Sequence, residues 1–118
     1  MAVWEGPTPG SDEEAARTFD ELYDRYIDSD ADVPPTGRVS EYVRALLERY
    51  PDLDELDDDD VDNSPWADSP LIGNARGPFI YFSMVANEAA NEAWRHAVST
   101  AHSMGLVCFD PQSGALAA

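Results

Sequence analysis

The segment from Asp52 to Asp62 constrains the fold more than any other, because eight of its eleven residues are carboxylates and three are apolar. Mutual repulsion and the shortage of apolar side chains keep such a segment out of a folded core. We therefore expect a flexible acidic loop over residues 52–63. The core must come from the segments on either side.

The residues before the loop predict one strand and two helices. A short strand over Ala2–Glu5 is ended by the glycines and prolines of Gly6–Gly10. Ser11 followed by Glu14 is a capping-box pattern, and apolar residues at helical spacing continue it to about Asp28. A second apolar stripe predicts a helix from about Arg38 to Tyr50, which Pro51 ends.

The residues after the loop alternate between strands and a helix. We expect an edge strand over Trp66–Ile72, a hairpin turn over Gly73–Gly77 and a central strand over Phe79–Val85, buried on both faces. A third helix, capped by Asn87, ends near Met104, with Ala90, Ala93, Trp94, Ala97, Val98 and Ala101 as its buried stripe. A last strand covers Leu106–Phe109.

This order of elements indicates an α+β fold in one domain over residues 1–118. We expect a small antiparallel or mixed sheet of three to four strands with three helices packed on one face. The plan is loosely ferredoxin-like (β-α-β-β-α-β), with an extra helix in the first crossover. The tail over residues 113–118 is expected to fray.

The net charge of −17 limits the kinds of partner. Nucleic acids and anionic membranes attract clustered Lys or Arg, and this chain has seven Arg and no Lys. The charge favours a basic protein or cations, or it is an adaptation to salt. One cysteine, Cys108, permits no internal disulfide, and with no secretory signal we expect a cytoplasmic protein. No apolar run approaches the ~20 residues that span a bilayer.

Three patterns contain residue types that chemical sites use, and each has a plainer interpretation. The acidic run has no Gly at the place where a calcium loop turns. Cys108, His96 and His102 lack the spacing of a zinc site, and Cys108 in an apolar strand is typical of an inert thiol. The turn Gly73–Gly77 lacks the Lys and the Ser or Thr of a phosphate-binding loop. We therefore predict no metal, no cofactor and no catalysis.

The carboxylates themselves are the better candidates for a binding surface. Asp20, Asp24 and Asp28 recur every four residues on the polar side of the first helix, and an exposed Trp is a common anchor at interfaces. The predicted contact residues are Asp20, Asp24, Asp28, Asp57, Asp58, Asp59, Asp60 and Trp66. The alternatives are a solvated loop and a Trp that closes the edge of the core.

Four stretches together resemble small, mostly uncharacterised bacterial proteins, some of which look like immunity proteins of toxin systems. They are Val3–Pro7, Ser64–Asn74, Gly77–Phe82 and Gly105–Gln112. The matched residues are strands and turns, with no catalytic motif. The resemblance implies a protein that neutralises a toxin by binding it.

We therefore predict a non-enzymatic acidic protein that caps a basic protein surface. A salt-adapted domain without a strong partner and a small-ligand or enzyme domain remain as alternatives. A deep pocket that holds His96 or Cys108 beside a polar group would favour the last of these.

Overall fold

A computed structural model describes residues 1–28, 33–61, 64–67, 69–85 and 88–117. It confirms a small single-domain α+β fold. The strands within these residues are β1 (Ala2–Trp4), β2 (Ala75–Arg76), β3 (Phe79–Tyr81), β4 (Val107–Asp110) and β5 (Ala115–Leu116). The helices are α1 (Asp12–Tyr23), α2 (Gly37–Arg49), α3 (Asp58–Val61) and α4 (Glu88–Ser103). A π-helical turn, Asp24–Asp28, continues α1, and 3-10 turns cover Leu53–Glu55 and Leu71–Asn74.

All strand pairs of the described sheet are antiparallel, in the order β2-β3-β1-β4-β5. The central strand is β1, where Val3 lies between Ile80 of β3 and Cys108 of β4. Because β3 and β4 are both antiparallel to β1, they run parallel to each other, and α4 connects them. The segment from β1 through α2 to β2 makes a second connection of this kind, so two split β-α-β units interlock.

Helices cover both faces of the sheet, so the expectation of one covered face was wrong. Ala2 and Trp4 pack with Ala15 of α1 and with Phe79. Val3 faces the other way and packs with buried residues of α2 and α4. Side chains alternate along a strand, and all three residues of β1 are at most 2% exposed. A strand so apolar on both faces needs a helical layer on each.

The helix starts follow from their caps. Ser11 Oγ accepts the Glu14 N–H at 3.2 Å, as the capping box predicts, whereas Glu14 Oε2 accepts the Gly10 N–H at 2.9 Å in place of the N-cap N–H. Thr36 Oγ1 accepts the Val39 N–H at 3.3 Å and donates to Glu5 Oε2 at 2.6 Å. The start of α2 is thereby tied to the end of β1.

The predicted edge strand Trp66–Ile72 was wrong. Trp66 makes an isolated bridge to Met84, and residues 71–74 form a 3-10 turn after Pro70, which has no N–H for a ladder. The strand at this edge is instead β2. The chain reverses from β2 into β3 at Gly77–Pro78, whereas the predicted turn began earlier, at Gly73.

Of the strand predicted over Phe79–Val85, only β3 is a regular strand. It lies next to the central strand and is not itself central. Beyond β3, Phe82 donates its N–H to Met1 O at 2.9 Å. The predicted cap Asn87 lies outside the described residues. Ala115 and Leu116, placed by the sequence in a frayed tail, pair with Asp110 and Phe109.

Candidate functional site

The residues Asp57–Asp60, here named the acidic turn, form the most concentrated negative charge of the described chain. Asp57 precedes α3, and Asp58, Asp59 and Asp60 form the first turn of that helix. All four side chains are exposed, and no hydrogen bond or ion pair within the described residues engages them. Their carboxylates are therefore presented to solvent at the surface.

Two earlier carboxylates of the same run hold the loop in place. Asp52 Oδ1 accepts the Leu71 N–H at 2.9 Å, and Asp54 Oδ1 accepts a hydrogen bond from Ser69 Oγ at 2.9 Å. Leu53 packs against the core between them. The first part of the predicted loop is thus structural, whereas the acidic turn is not. The flexibility of the loop stays a prediction.

No basic residue lies between Arg49 and Arg76 in the sequence, and that interval contains nine carboxylates. Both flanking arginines have other partners. Arg49 pairs with Glu92 of α4, where its hydrogen bond lowers the pKa of the Glu92 carboxyl. Arg76 donates to Gly73 O at 2.7 Å and to Ala75 O at 2.8 Å. Neither guanidinium is paired with the acidic turn.

The predicted acidic ridge, Asp20, Asp24 and Asp28, is exposed as expected. It belongs to α1 and its π-helical continuation, which cover one face of the sheet. The acidic turn follows α2, whose layer covers the opposite face. The fold therefore places the two predicted groups of carboxylates in different layers.

Trp66 is 2% exposed, so the prediction of a surface anchor there was wrong. Its indole Nε1–H donates to Tyr50 O at 2.7 Å, and its ring lies edge-on to Tyr50 and Phe82. The side chain closes the core, which was the alternative interpretation.

Cys108 and the two histidines do not share a site. Cys108 is buried in the core, and burial raises the pKa of its thiol to about 12, which leaves it an inert thiol near neutral pH. His102 Nε2 lies 3.2 Å from Ala117 O, whereas the His96 ring packs against Tyr50. His96 Nε2 is buried without a hydrogen-bond partner in the described part of the chain.

A cleft of about 550 Å³ opens at one end of the sheet. It lies where β3 and β4 end and α4 begins, and Tyr81, Glu88, Trp94 and Asp110 are among its lining residues. Trp94 is half-buried, although its position in the helical stripe predicted burial. This cleft was not predicted from the sequence. It could have been predicted from the parallel directions of β3 and β4, since these bring Tyr81 and Asp110 to the same edge of the sheet.

Pro65 lies close to both the acidic turn and this cleft. Together with Arg49, Asp60 and Ser64, it lines a hollow of about 170 Å³ beside Tyr50. Pro65 O accepts the Val85 N–H at 2.9 Å, and Val85, 38% exposed, lines the cleft. The turn and the cleft are therefore neighbours through Pro65.

No group of three or more His, Cys, Asp or Glu in the described residues is arranged to hold a metal ion. Among the described helices, none has the length and apolar character required to cross a bilayer.

The chain matches no protein-family model, no curated protein and no solved structure. The resemblance to immunity-type proteins stays a prediction.

Proposed function

We propose that this protein is a non-enzymatic binding protein that caps a basic surface of another protein, in the manner of an immunity-type inhibitor. The observation that carries the proposal is the acidic turn, four exposed carboxylates, none of which forms an ion pair within the described residues. The proposed contact is this turn, and not the α1 ridge or Trp66.

Electrostatics explains what such a turn contributes. Single exposed ion pairs stabilise a complex by only about 0–1 kcal/mol. A concentrated charge instead raises the association rate with a partner of opposite sign, by roughly 10- to 1000-fold, and salt screens the effect. We therefore expect the acidic turn to change the association rate more than the affinity.

The α1 ridge provides a matched control. When Glu21 is added to Asp20, Asp24 and Asp28, this set contains four exposed carboxylates, as the turn does. Neutralising either set with Asn or Gln changes the net charge equally. Only the location of the removed charge differs, so an effect of net charge alone would appear in both variants.

The test is capture from a lysate of the source organism by immobilised parent, turn variant and ridge variant, followed by washes of increasing salt. We expect one basic protein to be held by the parent and the ridge variant, to elute at high salt, and to be lost by the turn variant. Equal capture by all three proteins would contradict the assignment to the turn. Capture of no basic protein by the parent would contradict the proposed function.

A further inference from the structure

The cleft at the end of the sheet combines an aromatic ring with carboxylates. Trp94 supplies the ring, and Glu88 and Asp110 supply negative charge, whereas the Tyr81 ring packs against Phe19 and Tyr23 on the α1 face. Its volume of about 550 Å³ lies within the range of ordinary ligand pockets, roughly 300–1,000 Å³. Asp110 Oδ1 accepts the Gln112 N–H at 3.0 Å, which orients the carboxylate at the end of β4.

The charge of the cleft is negative. None of its described lining residues is Arg, Lys or His. Within the described chain, one cation lines the cleft, the Met1 amino group, which donates to Phe82 O at 2.7 Å; burial lowers the pKa of this amine, and Asp110 partly opposes the shift. With the amine protonated, it and the amino end of α4 supply about one and a half positive charges, which the two carboxylates exceed by about half a charge.

We propose that this cleft receives an arginine side chain of the basic partner. The inference rests on the proposed function and names the anchor of that interaction. A planar guanidinium stacks on aromatic rings and pairs with carboxylates through its fork of donors, whereas an ammonium does so less well. Trp94 provides the stacking surface, and Glu88 and Asp110 provide the acceptors.

The position of the cleft fits a two-part interface. The acidic turn attracts the partner, and the adjoining cleft holds one of its side chains. In such interfaces, charges at the rim control the association rate, whereas a desolvated, charge-paired anchor controls the dissociation rate.

The first test uses the full chain and a small molecule. Capped arginine (N-acetyl-arginine methylamide) is titrated while the amide and indole NMR signals are followed, with capped citrulline as the uncharged control of the same shape. We expect saturable shifts at Asn91, Trp94 and Gln112 with arginine only. Equal shifts with citrulline, or shifts confined to the acidic turn, would overturn the proposal.

The second test uses variants. Glu88→Gln with Asp110→Asn keeps side-chain shape and removes both charges, and Glu13→Gln with Asp20→Asn on α1 removes the same charge elsewhere. With the captured basic protein, we expect the cleft variant to dissociate about tenfold faster at an unchanged association rate. We expect the control to behave as the parent. Unchanged dissociation of the cleft variant would overturn the proposal.

The two proposals fail in different ways. If the turn variant loses the partner but the cleft variant does not, the proposed function stands and the arginine anchor is wrong. If no basic protein is captured yet capped arginine saturates the cleft, the site binds guanidinium groups and the proposed partner is wrong.

Discussion

The indole Nε1 of Trp66 donates a hydrogen bond to the backbone carbonyl of Tyr50 at 2.7 Å. Tyr50 follows α2 directly, where carbonyl groups lose their helical partners. The bond therefore satisfies a carbonyl at the end of α2 and fixes the chain as it leaves the acidic segment. Trp66 thereby holds the chain that follows the acidic turn from within the core.

We expect Trp66→Phe to lower the free energy of unfolding by about 2 kcal/mol, because it leaves the Tyr50 carbonyl without its donor and removes buried volume. Urea unfolding measures the change. Trp94→Phe is the control, since Trp94 is half-buried and no described hydrogen bond engages its indole. Equal losses for the two variants would show that the hydrogen bond to Tyr50 contributes little.

Two features of Gly77 favour glycine at this position, and Gly114 shares only the first of them. Its φ of +55° disfavours other residues, and a Cβ there would lie 2.9 Å from Tyr26 Cε1. Gly114 has a similar φ of +70°, but a Cβ there would meet nothing within 4 Å.

We expect Gly114→Ala to cost about 1 kcal/mol and Gly77→Ala at least about 1 kcal/mol more, because only the second variant also displaces Tyr26. Thermal unfolding of both variants checks the difference. Matching midpoints for the two would mean that the Tyr26 ring moves aside at no cost.

Burial of Cys108 predicts a loss of stability at high pH. The pKa of the thiol is raised from its ordinary value of 9.0 to about 12, so the folded protein keeps a proton that the unfolded chain releases. The stability that this thiol contributes is complete below pH 9 and falls as the pH rises toward 12.

Cys108→Ala isolates this contribution. The pKa of Tyr42 is also raised, first by burial, which parent and variant share, and then by the charge of Cys108, which only the parent has. We expect the stability advantage of the parent to shrink by about 1.4 kcal/mol for each pH unit above 9. Denaturant unfolding at several pH values checks it, and an advantage that does not vary with pH would contradict the burial of the thiol.

The sequence predicted those features that depend on local pattern. The capping residues Ser11 and Glu14, the exposure of Asp20 and the burial of Cys108 follow from periodicity and composition, and the structure has all of them. The positions of α1, α2 and α4 also follow, because each of these helices has its own apolar stripe.

The features that were missed depend on contacts between distant segments. Trp66 is buried because Tyr50 and Phe82 meet there, and no local pattern shows that. The helical layer on each face arises from the position of β1 at the centre of the sheet. The cleft is formed by ends of β3, β4 and α4, which only the assembled sheet brings together.

The association rate of the captured basic protein, measured against salt concentration for the parent, the turn variant and the ridge variant, tests the central claim most directly. Screening strengthens as the Debye length falls from about 10 Å at 0.1 M salt to about 3 Å at 1 M. We predict that the parent and the ridge variant associate fast at low salt and slow steeply as salt is added, whereas the turn variant associates slowly with a shallow dependence. Identical salt dependence for the two variants would contradict the claim that Asp57–Asp60 is the surface that meets the partner.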